Sequence, residues 1–143
     1  MFRVTRRYRF SASHRLHSDQ LSESQNQELY GKCNYPFGHG HNYVVDVSVR
    51  GPLDDAGRAV DIVLLDELVD RQVVEPFNRR NLNAEVPVFR QAVPTSENLG
   101  LEICRRLKRH WKEMFPADWP KLEKIRIEET ARNIFEVGAD EIE

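Results

Sequence analysis

Three histidines, one cysteine and one glutamate carry the most chemistry in this 143-residue chain. His39 and His41 stand two apart in Gly38-His39-Gly40-His41, and a strand sends the side chains of residues i and i+2 to the same face. They open an apolar odd-numbered face that continues with Tyr43, Val45, Val47 and Val49. Near the N-terminus, Phe2, Val4, Tyr8, Phe10 and Ala12 share an even-numbered face that leads to His14, while Arg3, Thr5, Arg7, Arg9 and Ser11 point the other way. Parity therefore puts His14, His39 and His41 on core-facing sides of two strands, at the strand ends beside one long excursion. Three imidazole nitrogens leave a tetrahedral zinc ion one open position, the arrangement of catalytic zinc sites. The glycines flanking His39 permit a close backbone approach.

Cys33 sits just ahead of this pair, in Gly31-Lys32-Cys33-Asn34. A thiol beside a cation and near a metal has a lowered pKa and can act as base or nucleophile. Glu129 follows Ile125 and Ile127 on an inward strand face, where a carboxylate needs a partner: a cation, a metal-bound group or a ligand N–H. Glu97 falls in the first turn of a helix, where a carboxylate also complements the helix dipole. Cys104 reads as a small buried hydrophobe. His17 and His110 do not share the geometry of the other three histidines and read as surface or structural residues.

The elements that position these groups follow from hydrophobic period. Strands are expected at the N-terminus and from His39 to the Gly51-Pro52 break. Residues 17–38, polar and turn-rich, read as one long loop-like excursion, and loops of that length in compact domains are usually functional. A helix is predicted over 61–75, with Ile62, Leu65, Val69 and Val73 on one stripe and Pro76 as its stop. Residues 77–93 read as loop. A second helix runs from a Thr95 or Ser96 cap to about residue 114, burying Leu99, Ile103, Leu107 and Trp111. Strands over 122–129 and 134–137 close the chain. The order β-β-α-α-β-β predicts an α+β fold, an antiparallel sheet with both helices on one face, in one domain spanning 1–143.

Composition narrows the function. With 21 basic and 23 acidic residues the net charge is −2, so no basic excess exists to drive nucleic-acid binding. No apolar run approaches a membrane span. Residues 1–9 lack the apolar block of a signal peptide. Two widely spaced cysteines suggest no disulfide framework, and a reduced, cytoplasmic setting is expected.

The blocks Phe10-Ser11-Ala12-Ser13-His14-Arg15-Leu16, Gly31-Lys32-Cys33-Asn34, Gly38-His39-Gly40-His41-Asn42-Tyr43, Pro94-Thr95-Ser96-Glu97-Asn98 and Glu129-Thr130 together resemble the signature of 6-pyruvoyltetrahydropterin synthases. They occur in order, at compatible spacing, over nearly the whole chain. The resemblance implies a tunnelling fold, with protomers closing a trimeric β-barrel, two trimers stacking as a hexamer, and active sites between subunits. It implies 7,8-dihydroneopterin triphosphate as substrate, zinc held by His14, His39 and His41, and Cys33 as catalytic proton acceptor. It further implies Glu97 as the pterin anchor with Thr95 and Ser96 nearby, and Glu129 in the charge relay. The product is 6-pyruvoyltetrahydropterin or, as in the related 6-carboxytetrahydropterin synthases of 7-deazaguanine biosynthesis, the carboxy compound. One block departs: an Asp-His pair usual in the family is Asn78-Arg79 here. Asn78 carries no charge, and Arg79 does not release its proton. Arg79 can lower the pKa of Cys33 or grip a triphosphate bidentately, but it cannot shuttle a proton. The alternative is therefore a zinc- and pterin-binding homologue with lost or changed activity.

Overall fold

A computed structural model describes residues 1–36 and 38–142; Phe37, within the expected excursion, and Glu143 lie outside the described residues. The elements are β1 (Phe2–His14), α1 (Glu23–Tyr30), β2 (His39–Gly51), α2 (Ile62–Val69), α3 (Glu75–Phe77), β3 (Arg80–Asn81), α4 (Leu82–Glu85), α5 (Ser96–Met114), β4 (Lys121–Glu128) and β5 (Ile134–Gly138). The sheet order is β3-β1-β2-β4-β5. The four long strands are antiparallel, and the two-residue β3 adds a parallel edge beside Ala12 and Ser13.

Alternation along β1 and β2 sends Tyr8, Phe10, Ala12, Tyr43, Val45, Val47 and Val49 into a single core, which Ile125 and Ile127 extend on β4. Helix α5 covers that face with Leu99, Ile103, Leu107 and Trp111, all buried as their spacing predicts, and Cys104 lies beside them without solvent contact. The α5 cap is Thr95, whose hydroxyl accepts the Asn98 N–H. Gly100 lets α5 approach the sheet, since a Cβ there would meet Ile127 Cδ1 at 3.4 Å. Arg6, on the buried side of β1, ties α2 to the sheet: its guanidinium donates twice to Asp66, which also accepts from Tyr8 Oη.

Three expectations need correction. The excursion over 17–38 contains α1, started by a capping box in which Ser22 and Gln25 satisfy each other's backbone N–H groups. Pro76 does not stop the helix at 75. A π turn over Asp70–Val74 intervenes, and the chain stays helical to Phe77. Proline has no N–H for the Gln72 carbonyl, and Arg106 Nη1 donates to that oxygen instead at 3.4 Å. The stretch 77–93, expected as loop, holds β3, α4 and a 3₁₀ turn over Pro87–Arg90. These are short pieces shaped by contact with β1 rather than by their own period. No helix among the described residues is long and apolar enough to cross a membrane.

On the opposite face of the sheet Asp46 stands directly between Arg7 of β1 and Arg126 of β4. Its carboxylate accepts from Arg7 at 2.8 and 3.1 Å and from Arg126 at 3.2 Å, with its own side chain only 8% exposed. These hydrogen bonds, that of Arg7 first, hold the Asp46 carboxyl below the usual carboxylate range. The folded value thus lies under the unfolded one of about 3.9, so the stabilisation is complete above about pH 4 and is lost as pH falls through the folded value. Asp46→Asn should cost about 1–2 kcal/mol at pH 7, between the worth of exposed and buried charge-assisted bonds. Denaturant unfolding of both proteins checks this: the gap should shrink on acidification below pH 4, and an unchanged gap there would refute it.

Candidate active site

The register of β1 with β2 assembles the histidines. Ala12 pairs with His41 and His14 pairs with His39, so rings from two chain segments meet at one end of the sheet. Their centroids lie 4.9 Å apart for His14 and His41, 5.2 Å for His14 and His39, and 4.5 Å for His39 and His41. Gly38 makes this approach possible. Its φ is +70°, and a Cβ would stand 2.4 Å from the His14 carbonyl oxygen.

His14 is fully buried. Its Nδ1 lies 2.8 Å from the Pro94 carbonyl oxygen, which can only accept, so Nδ1 carries the proton and Nε2 presents a lone pair. Tyr43 Oη, 3.2 Å away, also faces Nδ1. Burial pushes the His14 pKa down to about 4, so the ring is neutral near pH 7. Burial lowers the His41 pKa too, against the nearby Glu129 carboxylate. Glu129, 12% exposed, places Oε1 3.1 Å from His41 Nε2 and 3.7 Å from His14 Nε2. Neither approach has hydrogen-bond alignment: His14 Nε2, His41 Nε2 and His39 Nδ1 are all buried without a partner.

Such orphaned atoms are costly in a low-dielectric interior, and a bare imidazole nitrogen facing a carboxylate is repulsive. A divalent cation between them removes both penalties, so the residues present fit a metal ion. Two donor sets share His14: one with Cys33 and His39, the other with His41 and Glu129, the ligand atoms of each within 4.8 Å of one another.

Cys33 lies in the 3₁₀ turn over Gly31–Asn34, its Sγ 3.5 Å from His39 Nε2. The pKa effect expected from Lys32 is outweighed. Burial, and then the Glu129 carboxylate, push the thiol up, with Lys32 acting only against them. The turn is held by Asn34, whose amide donates to the Leu16 carbonyl and whose own carbonyl accepts from Arg15 Nε. Asn83 clamps both backbone groups of Arg15. Sequence reasoning missed Asn34, Asn83, Tyr43 Oη and the Pro94 carbonyl as positioning groups. Only Tyr43 carried a signal, standing two residues after His41 on the same strand face.

Of the remaining predicted residues, Ser96 and Glu97 stand away from the cluster, while Arg79 shares a cavity with His41. Glu97 is exposed and, with the buried Ser96, lines a separate cavity of about 230 Å³ between α5, β4 and β5. Ser96 Oγ has no partner, and Thr95 is occupied as the helix cap. Arg79 is exposed, has φ +61°, and lines a cavity of about 470 Å³ together with Ser11, Asn42 and His41 of the histidine cluster. Asn78 Oδ1 accepts the Ser11 N–H, and the Arg79 N–H donates to the Ser11 carbonyl. The leading charges on Cys33 are Glu129, which raises its pKa, and Lys32, which opposes it. His17 and His110 lie outside the cluster, beside Asp19 and Glu113.

A model of the 6-pyruvoyl tetrahydropterin synthase family matches residues 3–140. The chain belongs to that family. It is 43% identical over 92% of its length to a 6-pyruvoyl tetrahydrobiopterin synthase of Poecilia reticulata, covering 86% of that protein. It is 40% identical to the Homo sapiens protein of the same name, over 92% of this chain and 87% of that one. The solved Caenorhabditis elegans 6-pyruvoyl tetrahydropterin synthase superposes with a TM-score of 0.87 at 38% identity, covering 96% of this chain and 94% of that one. The α+β tunnelling fold of 6-pyruvoyl tetrahydropterin synthases is thus the fold of this chain, and the histidine cluster occupies one end of its sheet.

Gly38→Ala tests the approach that builds the cluster. A side chain in the left-handed region costs about 1–2 kcal/mol before any clash, and here the added atom also meets the His14 carbonyl. The variant should lose at least that stability and bind less metal. Thermal unfolding with elemental analysis checks both, and a variant with parent stability and metal content would contradict the geometry.

Proposed function

We propose that the chain is a zinc-dependent 6-pyruvoyl tetrahydropterin synthase, taking 7,8-dihydroneopterin triphosphate to 6-pyruvoyltetrahydropterin with release of triphosphate. The observation that carries the reading is the set of unpartnered buried imidazole nitrogens gathered beside a thiol and a carboxylate. The names of the relatives, alike over most of both chains, favour the pyruvoyl over the carboxy product.

His14, His39 and His41 would hold the ion. When bound, zinc polarises hydroxyl and carbonyl oxygens of the substrate side chain and eases loss of the adjacent protons. Cys33 would act as the thiolate, taking a proton from the side chain and returning it, with a cation at the neighbouring histidines opposing the burial that pushes the free thiol up. Glu129, beside His14 and His41, accepts N–H bonds from the pterin or relays the proton onward. The Pro94 carbonyl keeps His14 in the tautomer that leaves Nε2 free.

Glu97 and Ser96 line a cavity that contains none of the histidines. A site shared between protomers accounts for their assignment to the pterin ring. Support for self-association comes from the sheet edges: β3 covers β1 only at Ala12 and Ser13, and β5 ends the sheet at the other side. Pairing with a strand of another protomer is one way to cover such edges, and a closed ring of sheets leaves none. These edges support a homo-oligomer, and the family resemblance is what suggests a trimer or hexamer.

A second reading, a pterin-binding homologue without turnover, is favoured by the use of Asn78 and Arg79 to clamp Ser11. Incubating zinc-loaded protein with dihydroneopterin triphosphate separates the two. Triphosphate release and a 6-pyruvoyl product are expected, with loss of turnover on chelation and recovery with zinc; tight pterin binding without turnover would overturn the synthase. Asn78→Asp with Arg79→His keeps the acceptor for Ser11 and restores a proton-carrying ring. A positioned acid–base group is typically worth about 10²–10⁴-fold, so the double variant should raise the rate by at least about tenfold. A rate that does not rise would mean that the chemistry no longer uses this pair.

A further inference from the structure

We propose that Arg79 and the donors around it form an anion subsite beside the histidine cluster, one that grips the triphosphate of the substrate and selects the phosphorylated ester. The inference rests on the synthase reading for the identity of that ester, and it deepens that reading by naming the residue that recognises it.

The Arg79 backbone is the first observation. Its φ of +61° lies in the left-handed region, which glycine enters freely and a residue with a Cβ enters at a cost. Strain of that kind persists only where neighbours enforce it, and it gathers at binding sites. Here Ser11 enforces it. The Arg79 N–H donates to the Ser11 carbonyl at 2.6 Å, and the Ser11 N–H donates to Asn78 Oδ1 at 3.0 Å. Glycine would suit that backbone better, so what arginine adds at this position is its guanidinium. No ion pair engages that group among the described residues, whereas the adjacent Arg80 reaches Glu85 at 3.5 Å.

The cavity of about 470 Å³ that Arg79 lines is the second observation. Its amides are left as donors by the bonds that they already make. Asn42 Oδ1 accepts from Ser11 Oγ at 2.6 Å, and Asn81 Oδ1 accepts the Ala84 N–H at 3.2 Å, so each keeps its NH₂ group to offer. The carboxylate in the lining, Glu85, is occupied by the Asn81 N–H at 2.7 Å and by Arg80. Two guanidinium groups and two amide NH₂ groups around one open cavity suit a ligand with several negative charges and many acceptor oxygens. A guanidinium meets phosphate oxygens in pairs. His41 lines the same cavity, so a polyphosphate held there lies beside the proposed metal site. No bond is made or broken at the subsite. Its donors hold the ester by charge and hydrogen bonds, so loss of the guanidinium shows in KM, whereas the gain expected of Asn78→Asp with Arg79→His is one of kcat.

Calorimetric titration of the zinc-loaded full chain with inorganic triphosphate, and separately with 7,8-dihydroneopterin, tests the subsite without needing turnover. Arg79→Gly should weaken inorganic triphosphate at least about tenfold, the loss expected for one charge-assisted hydrogen bond, and should raise KM for the triphosphate substrate to match. The same variant should keep the parent's affinity for 7,8-dihydroneopterin and its zinc content, and should unfold at no lower temperature, because glycine relieves the left-handed backbone. Arg79→Lys keeps the charge without the fork and should recover part of the affinity. Arg58→Ala, beside Val4 at the opposite end of β1, should bind triphosphate as the parent does. Triphosphate affinity that Arg79→Gly leaves unchanged, or that Arg58→Ala lowers as far, would overturn the subsite. Equal weakening of 7,8-dihydroneopterin would overturn the selectivity and make Arg79 a structural support. A protein that binds triphosphate through Arg79 yet turns nothing over would keep the subsite and remove the synthase.

Discussion

Everything at the site depends on the register of one antiparallel pair. β1 and β2 run against each other without a bulge from the Phe2–Gly51 pair to the His14–His39 pair. Because strand side chains alternate with period 2, a slip of one residue would turn His14 away from His39 and His41 and would expose Phe10, Tyr43 and Val45 at the same time. The register is thus protected by the core. The apolar stripe that buries the sheet against α5 is continuous with the stripe that ends in imidazoles, so the burial that stabilises the fold also aims the site. Asp46, held by arginines from both neighbouring strands, fixes the same register from the other face.

The site accepts a cost in exchange for that placement. Burying neutral imidazoles with bare nitrogens against a carboxylate is unfavourable unless a cation joins them. The fold holds them there with interactions that do not involve the site's chemistry: the Pro94 carbonyl on His14, Asn83 on Arg15, and Asn34 on the turn before β2. Ring positions are in this way set before an ion or a substrate arrives, the preorganisation that electrostatic catalysis requires.

Much of this was legible in the residues. Period 2 marked β1, β2 and β4 and, through parity, predicted that His14, His39 and His41 converge; the i, i+4 stripe marked α5 and its buried face. What escaped did so for identifiable reasons. Helix α1 has a weak apolar stripe, and its signal was only the Ser22-Gln25 cap. The chain through Pro76 stays helical by way of a π turn, and Arg106, distant in sequence, donates to the Gln72 carbonyl. β3 and α4 are two and four residues long and exist through contact with β1. Among site residues, the reversal at Cys33 came from burial and from Glu129, neither visible from the adjacent Lys32. The surroundings of Arg79 follow from a left-handed backbone that nothing in its neighbours announces.

The central claim is that imidazoles from β1 and β2 bind a single divalent ion and leave it open to a ligand. X-ray absorption at the zinc edge, on protein purified without added metal, tests it most directly. The account predicts equimolar zinc with a shell dominated by imidazole nitrogen, converted to a shell of oxygen and nitrogen in His14→Ala or lost from it. Zinc absent, or present with scattering that the His14 substitution leaves unchanged, would contradict it.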